Sequence, residues 1–145
     1  MGLVPLAATA WSAHGLFSTA LGAAPGGKQE KSAAGSPDVK RTKLIEQKLT
    51  NLGDRTVQVS MVEIAPGAEG AKHRHPCPVF AYVLDGALVS QTEGQPVATF
   101  KAGQIFYEPA NGVHAVSRNA SATAPVKLLV FYLGEPDKPV SVPVD

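Results

Sequence analysis

Residues 67–86 read Gly-Ala-Glu-Gly-Ala-Lys-His-Arg-His-Pro-Cys-Pro-Val-Phe-Ala-Tyr-Val-Leu-Asp-Gly. His73 and His75 stand two residues apart, and on a β-strand, where side chains alternate between faces, that spacing points both imidazoles the same way. Downstream, Val79 to Gln91 is the longest β-forming run, and Gly86 within it marks a bend at which two strands share a corner. Upstream, Val57, Val59 and Met61 alternate with Gln58, Ser60 and Val62 across Thr56 to Ile64, the pattern of a strand with one buried face, until Ala65-Pro66-Gly67-Ala68 breaks it.

Beyond this centre the same grammar continues. Thr92 to Pro96 is a turn, Val97 to Phe100 a short strand, and Lys101-Ala102-Gly103 a second turn before the strand Gln104 to Tyr107. After Pro109 to Gly112 come strands at Val113 to Ser117 and Val126 to Leu133. From Gly134 on, Pro136, Pro139 and Pro143 suit a sheet edge and exclude a central strand. No amphipathic helix and no internal repeat interrupts the series, so the fold class is all-β.

The chain has 145 residues, which fits one domain. Residues 44–133 are the expected folded barrel and 134–145 a Pro-rich tail. Residues 25–43 mix Gly, Ser, Pro and Lys without apolar periodicity, as a flexible linker does. Residues 1–24 are rich in Ala, Leu and Gly and carry no charged side chain, which reads as an export signal with a small-residue cleavage site near Gly22 or, failing that, a low-complexity leader. Export to a periplasmic or extracellular space follows from the first reading and a cytoplasmic location from the second. A membrane span is not expected, because Pro5, Ser12, His14 and Ser18 interrupt a stretch near the lower limit of about 17 apolar residues.

Composition excludes whole classes of function. Thirteen basic against twelve acidic residues leave a net charge of +1 without basic clusters, so nucleic acid is not an expected partner. The single cysteine, Cys77, rules out an intramolecular disulfide and a four-cysteine zinc site.

His114 follows His75 by 39 residues, after a Pro-Ala-Asn-Gly turn, where an adjacent antiparallel strand can set it opposite the first pair. Neutral imidazoles suit zinc, iron, copper and nickel, and three of them leave positions open for water or substrate.

These residues resemble the cupin superfamily. Its first motif runs Gly, five residues, His-x-His, three or four residues, Glu, six residues, Gly; Gly67, His73, His75 and Gly86 match, and Val79 occupies the place of the Glu. Its second runs Gly, five residues, Pro-x-Gly, two residues, His, three residues, Asn; Gly103, Pro109 and His114 match. Asn111 replaces the glycine, and Arg118 replaces the final Asn, with Asn119 one residue late. The resemblance implies a single jelly-roll barrel (a double-stranded β-helix) and a metal site of His73, His75 and His114. It also implies a small-molecule ligand or substrate and a homodimer, with the Pro-rich tail a candidate for exchange between subunits.

Three histidines without the glutamate resemble the iron sites of cupin-type dioxygenases, so dioxygenation is the expected reaction if the chain is an enzyme. Iron(II) or zinc is then the expected cofactor, with nickel or copper as alternatives and manganese disfavoured. The alternative is a non-catalytic module that binds a small ligand or metal. Around the histidines, Cys77, Val79, Tyr82, Phe106 and Glu108 are candidate pocket residues. Cys77 reads as a fourth ligand or as an apolar filler, and Glu69 and Glu108, the latter beside the motif proline, each as a replacement carboxylate or a solvated one.

Overall fold

A computed structural model describes residues 36–145 and the backbone of Gln29–Glu30. The segment 1–24, with its export reading and His14, lies outside the described residues. The elements are β1 (Gln29–Glu30), β2 (Val39–Leu49), β3 (Arg55–Ile64), β4 (His73–Arg74), β5 (Val79–Asp85), β6 (Ala87–Thr92), β7 (Ala98–Lys101), β8 (Ile105–Glu108), β9 (Val113–Asn119), β10 (Val126–Gly134) and β11 (Val142–Pro143). They form two antiparallel sheets, one in the order β1-β2-β3-β10-β5-β8 and the other β11-β4-β9-β6-β7. This is the expected all-β jelly roll. β2 begins at Val39, inside the stretch read as linker, and pairs along its length with β3.

Gly86 is the corner between β5 of the larger sheet and β6 of the smaller one. Its φ is 77°, and a Cβ there would stand 3.0 Å from the Pro125 carbonyl oxygen, so both backbone angle and space call for glycine. Asn111 has φ 62° in the place of the motif glycine; asparagine is among the residues that enter this region most readily.

The alternation in β3 is present, but the buried set is Thr56, Gln58, Ser60, Val62 and Ile64, whereas Val57, Val59 and Met61 are only half-buried on the outside. The barrel interior is therefore divided. Val62, Ile64, Val79, Ala81, Val83, Leu88, Val126 and Leu128 fill one part with apolar packing, while Gln58, Ser60, Arg41, Ser117 and the histidines face the other. Gln58 Nε2 donates to Ser60 Oγ at 3.1 Å, so these buried polar groups satisfy one another.

The Pro-rich tail runs along the edge of the smaller sheet, as its prolines require. There β11 pairs with β4 of the same chain, Val142 opposite Arg74 and Pro143 opposite His73. Among the described residues, no helix is long and apolar enough to cross a membrane.

Candidate metal centre

β4 and β9 are adjacent, and His73 lies directly opposite His114 in their register. His75 follows β4 on the same inward side, so three imidazoles from two distant stretches meet within the barrel, each at most 8 % exposed. Glu108 joins them from β8. It is 4 % exposed, and one ligand atom from each of His73, His75, Glu108 and His114 lies within 4.8 Å of every other.

Glu108 resolves the absence of the motif carboxylate. Its strand pairs with β5 so that Glu108 stands directly opposite Val79, the position where the motif carries Glu. The carboxylate reaches the same space from the neighbouring strand. Of the two readings of Glu108, the solvated one is wrong, and the expectation of a histidine-only cluster is corrected to three histidines and one carboxylate. The missed signal was parity: Phe106 and Glu108 share a strand face, and an apolar residue at 106 marks that face as inward.

Each imidazole has one nitrogen committed outward. His73 Nδ1 donates to the Ala71 carbonyl at 2.8 Å, and His75 Nδ1 donates to the Val140 carbonyl. His114 Nε2 bonds Ser90 Oγ at 2.8 Å. Such outer partners fix ring orientation and tautomer in metal sites. The nitrogens left over converge: His73 Nε2 and His75 Nε2 are 3.1 Å apart, and His114 Nδ1 is 3.1 Å from Glu108 Oε2, which is itself 3.6 Å from His75 Nε2.

Burial lowers the pKa of His73 to about 4, against the donated bond to Ala71, with His75 and His114 adding to the depression. Burial also lowers His75, outweighing the opposing pull of Glu108. Both rings are thus neutral at pH 7. With their Nδ1 protons donated to carbonyls, the two Nε2 atoms face each other as lone pairs, an arrangement that a cation between them relieves. Burial pushes Glu108 up, but the close polar contact with His114, followed by the smaller pulls of His114, His75 and His73 as charges, outweighs this and holds it below the usual carboxylate range, so it remains an anion.

Glu108 Oε2 and His114 Nδ1 stand 3.1 Å apart, and neither has any other hydrogen-bond partner among the described residues. Two orphaned buried atoms aimed at one point are what a shared ion would satisfy. With metal–nitrogen bonds of about 2.1 Å, neighbouring ligands stand about 3.0 Å apart at right angles and about 3.4 Å apart in a tetrahedron, which brackets the two 3.1 Å contacts and falls just short of the 3.6 Å one. Two ligands on opposite sides of an ion span about 4.2 Å, so the widest pair must close slightly.

The other candidate pocket residues divide. Val79 is fully buried core, and Phe106 lines the cavity with its ring 6.4 Å from that of His114. Tyr82 is not in the pocket: it points outward from β5 and is 37 % exposed. Cys77 continues the inward parity of His73 and His75 but is packed in the apolar core and stands outside the cluster; burial raises its pKa, as befits an inert filler. The tyrosine in the cavity is Tyr132, 2 % exposed, its ring 5.4 Å from that of His75. Arg41, Ser90 and Ser117, unremarkable in sequence, also have buried, inward-facing side chains. The space bounded by the cluster is a cavity of about 50 Å³, whereas a larger cleft of about 420 Å³ shares the Arg41 and Tyr132 walls with it.

Asn119 also finds its place. Gln91 and Thr92, consecutive on β6, pair with Val116 and His114, leaving Ala115 as an extra residue. This bulge turns His114, Ser117 and Asn119 all inward and puts Arg118 outside. The Asn119 Nδ2 is shared among the carbonyls of Ile64, Ala65 and Ala124, while its Oδ1 accepts from Ser121 N.

Comparison with known proteins agrees with the fold. The cupin domain pattern matches residues 60–132. A cupin-like protein from Thermotoga maritima superposes with TM-score 0.63 at 22 % identity, over 83 % of this chain and 86 % of that one. The DMSP lyase DddQ from Ruegeria pomeroyi superposes with TM-score 0.59 at 17 % identity, over 81 % of this chain and 61 % of its own. An S161A mutant of Bacillus subtilis oxalate decarboxylase gives 0.58 at 21 % identity, over 75 % of this chain and 29 % of its own. No curated protein sequence matches the chain significantly.

Proposed function

Because the chain belongs to the cupin family, we propose that His73, His75, His114 and Glu108 hold one divalent transition metal ion and that the barrel presents it to a small molecule. The observation that carries this reading is the 3.1 Å approach of two neutral imidazole nitrogens whose other nitrogens are already committed. A bound ion would supply Lewis-acid activation and, if it were iron, a site for dioxygen. The protein's own part is to hold three rings in fixed tautomers through Ala71, Val140 and Ser90, and to keep Glu108 ionised in a buried place. With a carboxylate among the ligands, iron(II) and zinc remain favoured candidates, nickel and copper fit as well, and manganese is readmitted. The argument for a dioxygenase loses its ground, since it rested on a site without that carboxylate.

Elemental mass spectrometry of the purified protein tests the site. The expected result is one transition metal per chain, lost in His73→Ala and His114→Ala; a metal-free wild type that takes up none on titration would refute it. A second reading, a binder without turnover, is favoured by the size of the cluster's cavity, which has room for about one or two waters. Oxygen uptake with iron(II), alongside assays for non-oxidative turnover of small acids, separates the two: stoichiometric metal with no turnover favours the binder.

We also infer that the protein is a homodimer built on the outer face of the larger sheet. Ile45, Val59, Phe131, Phe80 and Tyr107 lie opposite one another in a single row across five strands, with no charge among them. Ile45 is 55 % and Tyr107 52 % exposed. A two-fold axis through an uncharged row lays it against itself without stranding a charge.

A further inference from the structure

Among the described residues, Arg41 is the only lysine or arginine buried in the structure, at 8 % exposure. It points inward from β2, opposite the inward Val62. None of the described carboxylates lies within ion-pairing distance of it, and its Nε makes no hydrogen bond. Glu108, the one buried carboxylate among the described residues, stands against His75 and His114 instead. The guanidinium carbon stands 5.7 Å from the centre of the Tyr132 ring, a cation–π contact that offsets only part of the cost of removing the charge from water. A fold gains little from such a group, whereas a planar guanidinium with an uncommitted Nε–H is suited to a carboxylate.

Its position gives the fork a use. Arg41 and Tyr132 line both the cavity of the histidine–glutamate cluster and the 420 Å³ cleft, so these two side chains form the partition between them. Ser141, 3 % exposed, lines the same cleft, and its Oγ also lacks a hydrogen-bond partner among the described residues. Three acidic residues stand at the cleft too: Glu46 is paired with Lys43, Glu135 lies 3.6 Å from Arg55, and Asp137 shares the rim with Lys138. They disfavour a polyanion at the entrance and leave room for a small acid. A divalent ion bound by neutral imidazoles and one carboxylate leaves the cluster positive, as Arg41 is, so the interior attracts an anion.

Resting on the metal-site reading above, we infer that the small molecule taken by the barrel is a carboxylate, seated on the Arg41 guanidinium with Ser141 Oγ as a second donor. Its body extends from the cleft toward the cluster. Arg41 is thus a binding and specificity residue and not a structural cation.

The test is calorimetric titration of the metal-replete full-length chain with malonate and succinate, and with malonamide and succinamide as neutral counterparts, in wild type, Arg41→Gln and the apolar Arg41→Met. Metal content is measured in each. The acids are expected to bind wild type and to bind both variants at least tenfold more weakly, with the diamides ineffective and metal content unchanged. Equal affinity in the variants, diamides binding as well as acids, or no acid binding to wild type overturns the inference. So does failure of both variants to fold, which would make Arg41 structural. Wild type that takes up no metal on titration yet binds succinate through Arg41 would sink the metal reading and leave this one standing, and metal-replete protein indifferent to Arg41→Gln would do the reverse.

Discussion

Lowering the pH of the metal-stripped protein from about 7.5 to about 4.5 should weaken the wild-type fold by roughly 2–3 kcal/mol more than it weakens His73→Gln. The native ring titrates at about 4, mainly because burial disfavours the cation, whereas in the unfolded chain it titrates near 6.5. Between those values the unfolded state holds the proton and the native state does not, so stability falls as pH falls through 6.5 and levels off near 4, once both states are protonated. At about 1.4 kcal/mol per pH unit the full interval is worth roughly 3 kcal/mol, most of it already lost at about pH 4.5. His75 shifts in the same direction and deepens the loss in both proteins. Glu108, whose pKa is lowered, withdraws its own contribution only below its unfolded value of 4.5, so the two effects separate along the pH axis. Urea unfolding followed by tyrosine fluorescence at several pH values, with chelator present, measures the difference. Parallel stability profiles for wild type and His73→Gln across pH 4.5–6.5 would refute the claim that the native site excludes the proton from this ring.

Ser90→Ala should lower metal affinity on the order of 10–100-fold in a competition titration with a chelating dye, because it frees the His114 ring from its 2.8 Å bond, while leaving the cluster's four ligand residues in place. Asn119→Ala should lower stability by about 3 kcal/mol in urea denaturation, since it strips a buried donor from the carbonyls of Ile64, Ala65 and Ala124 that join β3 to the loop after β9. Phe80→Glu should convert a dimer to a monomer in sedimentation velocity, because it places a charge in the middle of the apolar row, where Phe80 contacts Tyr107 with ring centres 5.1 Å apart.

Much of the fold was legible because jelly-roll strands announce their ends. Glycine and proline cluster at turns such as Gly86 and Pro109, and the histidine motif fixes which strands must meet. What sequence patterning could not assign was which face of β3 turns inward. Apolar alternation names Val57, Val59 and Met61 as a set, and a rule that buries apolar residues sends them to the core. Here they lie on the outer surface, beside Phe131 and Leu129 of β10, while Thr56, Gln58 and Ser60 face a polar interior. A barrel with a polar cluster at its centre turns polar groups inward and leaves apolar residues for its outer face, so the ordinary rule inverts where a polar site occupies the core.

The site shows the same limit from another direction. A motif is read along the chain, and it asks which residue follows His75 at the prescribed distance; the answer is Val79, which cannot bind metal. A coordination sphere is built across strands, and it asks which residue stands beside that position; the answer is Glu108, directly opposite Val79 in the antiparallel register. Because side chains at paired positions share a face and lie about 4.5–5.5 Å apart, a carboxylate can move to the partner strand and still reach the same ion. Loss of a ligand at a motif position is therefore no sign of a decayed site until the residue paired with it has been read as well. Arg41 and Tyr132 follow the same logic, since no short motif contains either, and only the folding of β2 and β10 against one interior brings them to the histidines.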